Sequence, residues 1–131
     1  MKINKALIIL LSFVLSAACA CDRSPKEVED AIAKSPHLQR VNQLCSEMAK
    51  PDDFRFVHKN YGGNSNLASI TFYYKTDKDP VVIKGFYLKW ARENNWSVTS
   101  ERSFSKGKQS IFLEFVRLPK SDVQISCDEP R

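Results

Sequence analysis

"FRFVHKNYGGNSNLASITFYYKT" (Phe54 to Thr76) decides the fold of this 131-residue chain. Two runs rich in aromatic and β-branched residues flank a Gly/Asn-rich stretch. In the second run Ala68, Ile70, Phe72 and Tyr74 alternate with Leu67, Ser69, Thr71 and Tyr73. A period of two marks a strand with one buried face, so the segment is expected to form a β-hairpin. The intervening NYGGNSN exceeds a two-residue turn, which leaves the register open.

Helical patterns lie on either side. Upstream, Ser24-Pro25-Lys26-Glu27 is a capping box with Pro at the first helical position, and Ser35-Pro36 breaks or re-caps that helix. Leu38, Val41, Leu44, Cys45 and Met48 then recur at helical spacing until Pro51. Downstream, Asp79-Pro80 caps a helix with Val82, Ile83, Phe86, Tyr87 and Trp90 on one face, and Gly85 in its interior suits a close approach to a neighbouring element. Alternation returns in WSVTSERSF, QSIFLEFVRL and VQISC, with turns at Ser105-Lys106-Gly107-Lys108 and from Pro119 to Asp122. The order is α-β-β-α-β-β-β. It describes a two-layer α+β domain whose sheet is antiparallel, because the connections are too short for parallel crossovers, with the helices packed on one face.

The N-terminus carries a different signal. In MKINKALIILLSFVLSAACAC, Lys2 and Lys5 precede an apolar run from Ala6 to Leu15 and then small residues, the layout of a secretory signal. That run is about half of the roughly 20 apolar residues that a membrane span needs. The stretch SAACAC resembles the lipobox of bacterial lipoproteins, in which small or aliphatic residues precede a cysteine that is lipidated and becomes residue one. Cys21 is the expected site, since Asp22 and Arg23 end the apolar stretch and Ala18-Cys19-Ala20 also fits ordinary A-x-A cleavage; Cys19 is the alternative. Residues 1–20 are thus read as a lipoprotein-type signal peptide and 21–131 as a single periplasmic domain. The resemblance implies a diacylglycerol and palmitate anchor holding the protein on the periplasmic side of the cell envelope. Asp22 after Cys21 implies the inner membrane, and Ala20 after Cys19 the outer.

Removing residues 1–20 lowers the formal charge from +5 to +3, because Lys2 and Lys5 leave and no acid does. No clustered basic motif remains, so nucleic acid is not an expected partner. With Cys21 lipidated, Cys45 and Cys127 are an even pair in an oxidising compartment and are expected to form a disulfide. In the chain-entropy picture, closing a loop of that length contributes about 4 to 5 kcal/mol.

Catalytic signatures are wanting. His37 and His58 are the only histidines, and their spacing suits neither a metal site nor a thiol–imidazole pair. No cofactor is expected, and Asp52-Asp53 and Asp77 to Asp79 read as caps and turns rather than calcium ligands. The segment IKGFYLKWARENNWSV (Ile83 to Val98) resembles the helix-to-strand part of small uncharacterised periplasmic lipoprotein domains, written F-Y-x-x-W/L-x-x-x-x-G-W, with Asn95 in place of the usual Gly. The resemblance implies a fold more than an activity. Arg55, His58, Lys59 and Tyr61 around the first hairpin are the candidate contact surface. The expected function is non-catalytic: a membrane-anchored module that binds a protein partner of the envelope, or a secreted toxin that it neutralises. The alternative is a periplasmic lipid- or small-ligand-binding protein.

Overall fold

The computed structural model describes residues 23–115 and 122–131. The expected lipidation site at Cys21 or Cys19, the signal peptide and most of the turn before the last strand lie outside them. The domain is α+β: three helices and a six-stranded antiparallel sheet. Helix α1 (Pro25–Lys34) is capped by the Ser24 hydroxyl, which accepts from Glu27 N–H. Ser35 ends α1 and caps α2 (Pro36–Glu47) through the Leu38 N–H, so Ser35-Pro36 re-caps the chain and makes two helices of one expected run.

Strands β1 (Arg55–Asn64) and β2 (Leu67–Lys75) form the hairpin, and α3 (Pro80–Glu93) follows it. Two features of the hairpin differ from the expectation. Asn64 pairs with Leu67, so the turn is the two-residue Ser65-Asn66, closed by the Asn66 N–H on the Asn64 side chain. Gly62 and Gly63 lie within the strand. Gly63 has φ +97°, and a methyl group there would collide with the Leu67 carbonyl, so this position requires glycine for its backbone and for space.

After α3, the segment expected as one strand is a hairpin. β3 (Ser97–Ser100) and β4 (Ser103–Lys106) turn at Glu101-Arg102, then β5 (Gln109–Glu114) and β6 (Val123–Pro130) complete the sheet. The polar Thr99 to Ser103 stretch turns because the side chains of Thr99 and Ser100 both meet the Ser103 hydroxyl, at 2.7 and 2.6 Å. Asn95 adopts φ 62° just beyond the α3 cap, and Trp96 N–H closes on the Ala91 carbonyl at 2.8 Å. Asparagine thus serves where a glycine would be usual after a helix.

The spatial order of strands is β1-β2-β6-β5-β4-β3, which places the C-terminal strand in the interior of the sheet. Its register aligns core rows across strands: Ile70, Cys127, Ile111 and Phe104 form one, and Phe72, Ile125 and Leu113 another. Val28, Ile32, Leu38, Val41, Ile83, Tyr87 and Ala91 from the helices close over this face. Val82, expected on the packed face of α3, is exposed. Cys45 on α2 and Cys127 on β6 form a disulfide with Cα atoms 5.9 Å apart across 82 residues of sequence, and both are buried. Gly85 is exposed with no atom within 4 Å of a Cβ built on it, so no close approach depends on it. Among the described residues, no helix is long and apolar enough to cross a membrane.

Thermal melts should separate these features. Gly85→Ala should stabilise by up to about 1 kcal/mol, as for any exposed helix-interior glycine. Gly63→Ala should destabilise by more than about 1 kcal/mol. Replacing both Cys45 and Cys127 with Ala should cost about 2–5 kcal/mol.

Candidate functional site

With all three helices on one face, strand alternation sends the other set of side chains to a face that no described helix covers. The register arranges them in transverse rows. Gly62, Ser69, Asp128, Ser110, Ser105 and Ser97 run across all six strands, and beside them run Asn60, Thr71, Ser126, Phe112, Ser103 and Ser100. A third row holds His58, Tyr73, Gln124 and Glu114. The face is therefore a low, hydroxyl-rich surface with two aromatic features. His58 stacks on Tyr73 with ring centres 4.2 Å apart and planes within 5°. Phe112 is 40% exposed, with the Arg102 guanidinium 5.9 Å from its ring centre. Thr71 and Ser126 share a hydrogen bond of 2.8 Å between them.

Neighbours on β6 show what alternation does to charge. Glu129 points to the helix side, where its Oε2 accepts from Arg40 Nε at 2.8 Å and meets His37 Nδ1 at 2.7 Å, while Oε1 accepts from Gln109 at 3.2 Å. Burial pushes the Glu129 carboxyl up, but the hydrogen bonds from Arg40, His37 and Gln109 and the Arg40 charge outweigh it and hold the group below the usual carboxylate range. Both oxygens are engaged, so this cluster plugs the end of the core rather than offering a base or a metal ligand. Asp128 points to the open face. Burial pushes its carboxyl up, a hydrogen bond with Ser69 offsets only part of that, and Oδ1 is buried without a hydrogen-bond partner. Among the described residues, no group of three or more His, Cys, Asp or Glu side chains stands close enough to hold a metal ion.

The four residues of the expected contact surface share β1 but not a face. Arg55 is exposed at the start of the strand, with its guanidinium 3.7 Å from Asp77. His58 joins the open face. Lys59 and Tyr61 face the helices: Lys59 pairs with Glu29 at 2.7 Å and donates to Asn42, and Tyr61 lies under Arg23, whose guanidinium is 4.0 Å from the ring centre. A bulge between Phe56 and His58 fixes which parity goes where. Beside it, between the first turns of α1 and strand β1, lies a cavity of about 580 Å³ walled by Pro25, Val28, Phe56 and Val57 and rimmed by Arg23 and Lys59. A smaller aromatic recess, lined by Phe54, Phe56, Phe72 and Tyr74, opens beside Lys50.

Sequence reasoning passed over Phe112, Asp128 and the Glu129 cluster. A signal for the last was present: in VQISCDEP an inward Cys127 makes Glu129 inward too, and a carboxylate on the core face demands partners. Comparison of the chain with family models, with curated proteins and with solved structures gave no match.

The opposite shifts give opposite pH signatures. Glu129 has a folded pKa below its unfolded value of about 4.3, so its contribution is present above that pH and is lost as pH falls through the folded value. Glu129→Gln should cost about 1.5–3 kcal/mol at neutral pH, with the deficit shrinking in acid. Asp128 has a folded pKa above its unfolded value of about 3.9, so ionising it works against the fold as pH rises between the two. Asp128→Asn should therefore raise the denaturation midpoint at neutral pH and leave it unchanged near pH 3. Denaturant titrations across pH read both.

Proposed function

We propose that this protein is a small membrane-anchored periplasmic lipoprotein that works by binding another protein, in envelope assembly or in neutralising a toxin, without catalysing a reaction. The observation that carries the reading is the face of the six-stranded sheet that no described helix covers. Its small Ser and Thr side chains allow close approach over a wide area, while the exposed Phe112 and the half-buried His58–Tyr73 pair supply the aromatic contacts on which interfaces concentrate their energy. The buried Cys45–Cys127 disulfide supports an oxidising compartment, as expected for an exported chain. The lipobox-like SAACAC supports attachment at Cys21.

A second reading, a lipid- or small-ligand-binding protein, is favoured by the cavity between α1 and β1. Its volume of about 580 Å³ and its walls of Pro25, Val28, Phe56 and Val57 suit an apolar molecule.

Native mass spectrometry of the protein extracted from membranes in mild detergent, without reductant, distinguishes the two. The leading reading expects an acylated N-terminal cysteine, an intact disulfide and a bound second protein. Phe112→Ala and Tyr73→Ala should each weaken that complex about tenfold or more, whereas Val82→Ala on the far helix should not. A small retained mass with no protein would establish the second reading.

A further inference from the structure

We infer that the α1–β1 edge is the face the domain sets against the bilayer carrying its anchor, with Phe56 and Val57 at the level of the lipid headgroups. The inference goes beyond protein binding but depends on the lipid anchor proposed above.

Arg23 is held to β1 by three contacts: its guanidinium donates to the Tyr61 carbonyl at 2.7 Å and to Asn60 Oδ1 at 3.2 Å, and it covers the Tyr61 ring. Cys21 lies two residues upstream, and two residues span at most about 7 Å. An acyl chain on Cys21 therefore tethers this particular edge to the membrane, and attachment at Cys19 would lengthen the tether only to about 14 Å.

The chemistry of the edge agrees. Phe56 is 55% exposed and Val57 is 38% exposed, and the bulge between Phe56 and His58 sets these adjacent apolar side chains together on an outermost strand. One side of the Phe56 ring packs against Phe72 and Tyr74 at centroid distances of 5.7 and 6.0 Å, so the exposed side is presented by a fixed ring. Both residues line the cavity that also reaches Arg23. Rigid apolar groups beside a membrane anchor gain from burial at the interface. Charge at the edge is partly offset, since Lys59 is paired with Glu29 and Arg55 stands beside Asp77, while Arg23 is bonded to neutral groups.

A peptide strand is the natural rival for an exposed edge, and β1 resists one at Tyr61. The Tyr61 N–H donates to Asn60 Oδ1 and its carbonyl accepts from Arg23, so an added strand would displace both bonds.

The test uses the full acylated chain in vesicles of phosphatidylethanolamine and phosphatidylglycerol with brominated acyl chains. Phe56→Trp and Val57→Trp report the edge, Phe112→Trp reports the open face, and the parent gives the Trp90 and Trp96 background. The added emission at 56 or 57 should fall by about half or more, with that at 112 unaffected. Acylated protein with no quenching at 56 and 57, or with equal quenching at 112, would overturn the inference and leave the anchor reading standing. Quenching that persists when bilayer is removed, with one lipid retained in the native mass, would overturn it in favour of a ligand in the cavity. A chain without an acyl group would overturn the anchor reading and this inference with it.

Discussion

The insertion of β6 between β2 and β5 is the interaction on which the rest of the structure depends. Two locally formed units, the β1–β2 hairpin and the β3–β4–β5 meander, are joined in the sheet by this strand, which pairs with Leu67–Tyr74 on one side and Ser110–Glu114 on the other. The pairing with β2 spans much of the chain, so its loop-closure entropy must be met before the core rows can align. Cys127 adds a covalent tie from the same strand to α2, and Ile125, Cys127 and Glu129 each meet a helix or a neighbouring strand on the core side.

Strand alternation on β6 then sorts the functional chemistry. Glu129 finds Arg40, His37 and Gln109 and becomes a plug at the end of the core. Asp128, one residue away, faces a row of hydroxyls with too few donors for its two oxygens. The same backbone step thus separates a carboxylate that stabilises the fold from one that burdens it. Polar groups that lack partners in the free protein are the ones that an approaching partner's donors can satisfy.

The two edges of the sheet are managed differently. β3 is only four residues long, whereas β1 runs for ten and has its outer main-chain groups taken at Tyr61 by Asn60 and Arg23. Short length and side-chain capping are both defences against edge-to-edge pairing. The large apolar side chains that β1 leaves exposed are Phe56 and Val57.

The sequence by itself determined the helix starts, the hairpin, the α+β class and the Cys45–Cys127 pair, because these depend on local chemistry: a serine or aspartate before a proline, a period of two, and a thiol count. Asn95 after α3 belongs with them, since its left-handed conformation is set by the helix end it terminates. Register, strand order and the partition of faces were decided only by the tertiary structure. Gly62 and Gly63 read as loop until pairing with Ser69 and Ala68 drew them into a strand, and WSVTSERSF read as one strand until its hydroxyls closed a turn. The expected contact residues on β1 were separated for the same reason. A single bulge between Phe56 and His58 sends His58 to one face and Lys59 and Tyr61 to the other, and whether a strand bulges depends on the partner it pairs with, which its own residues do not specify.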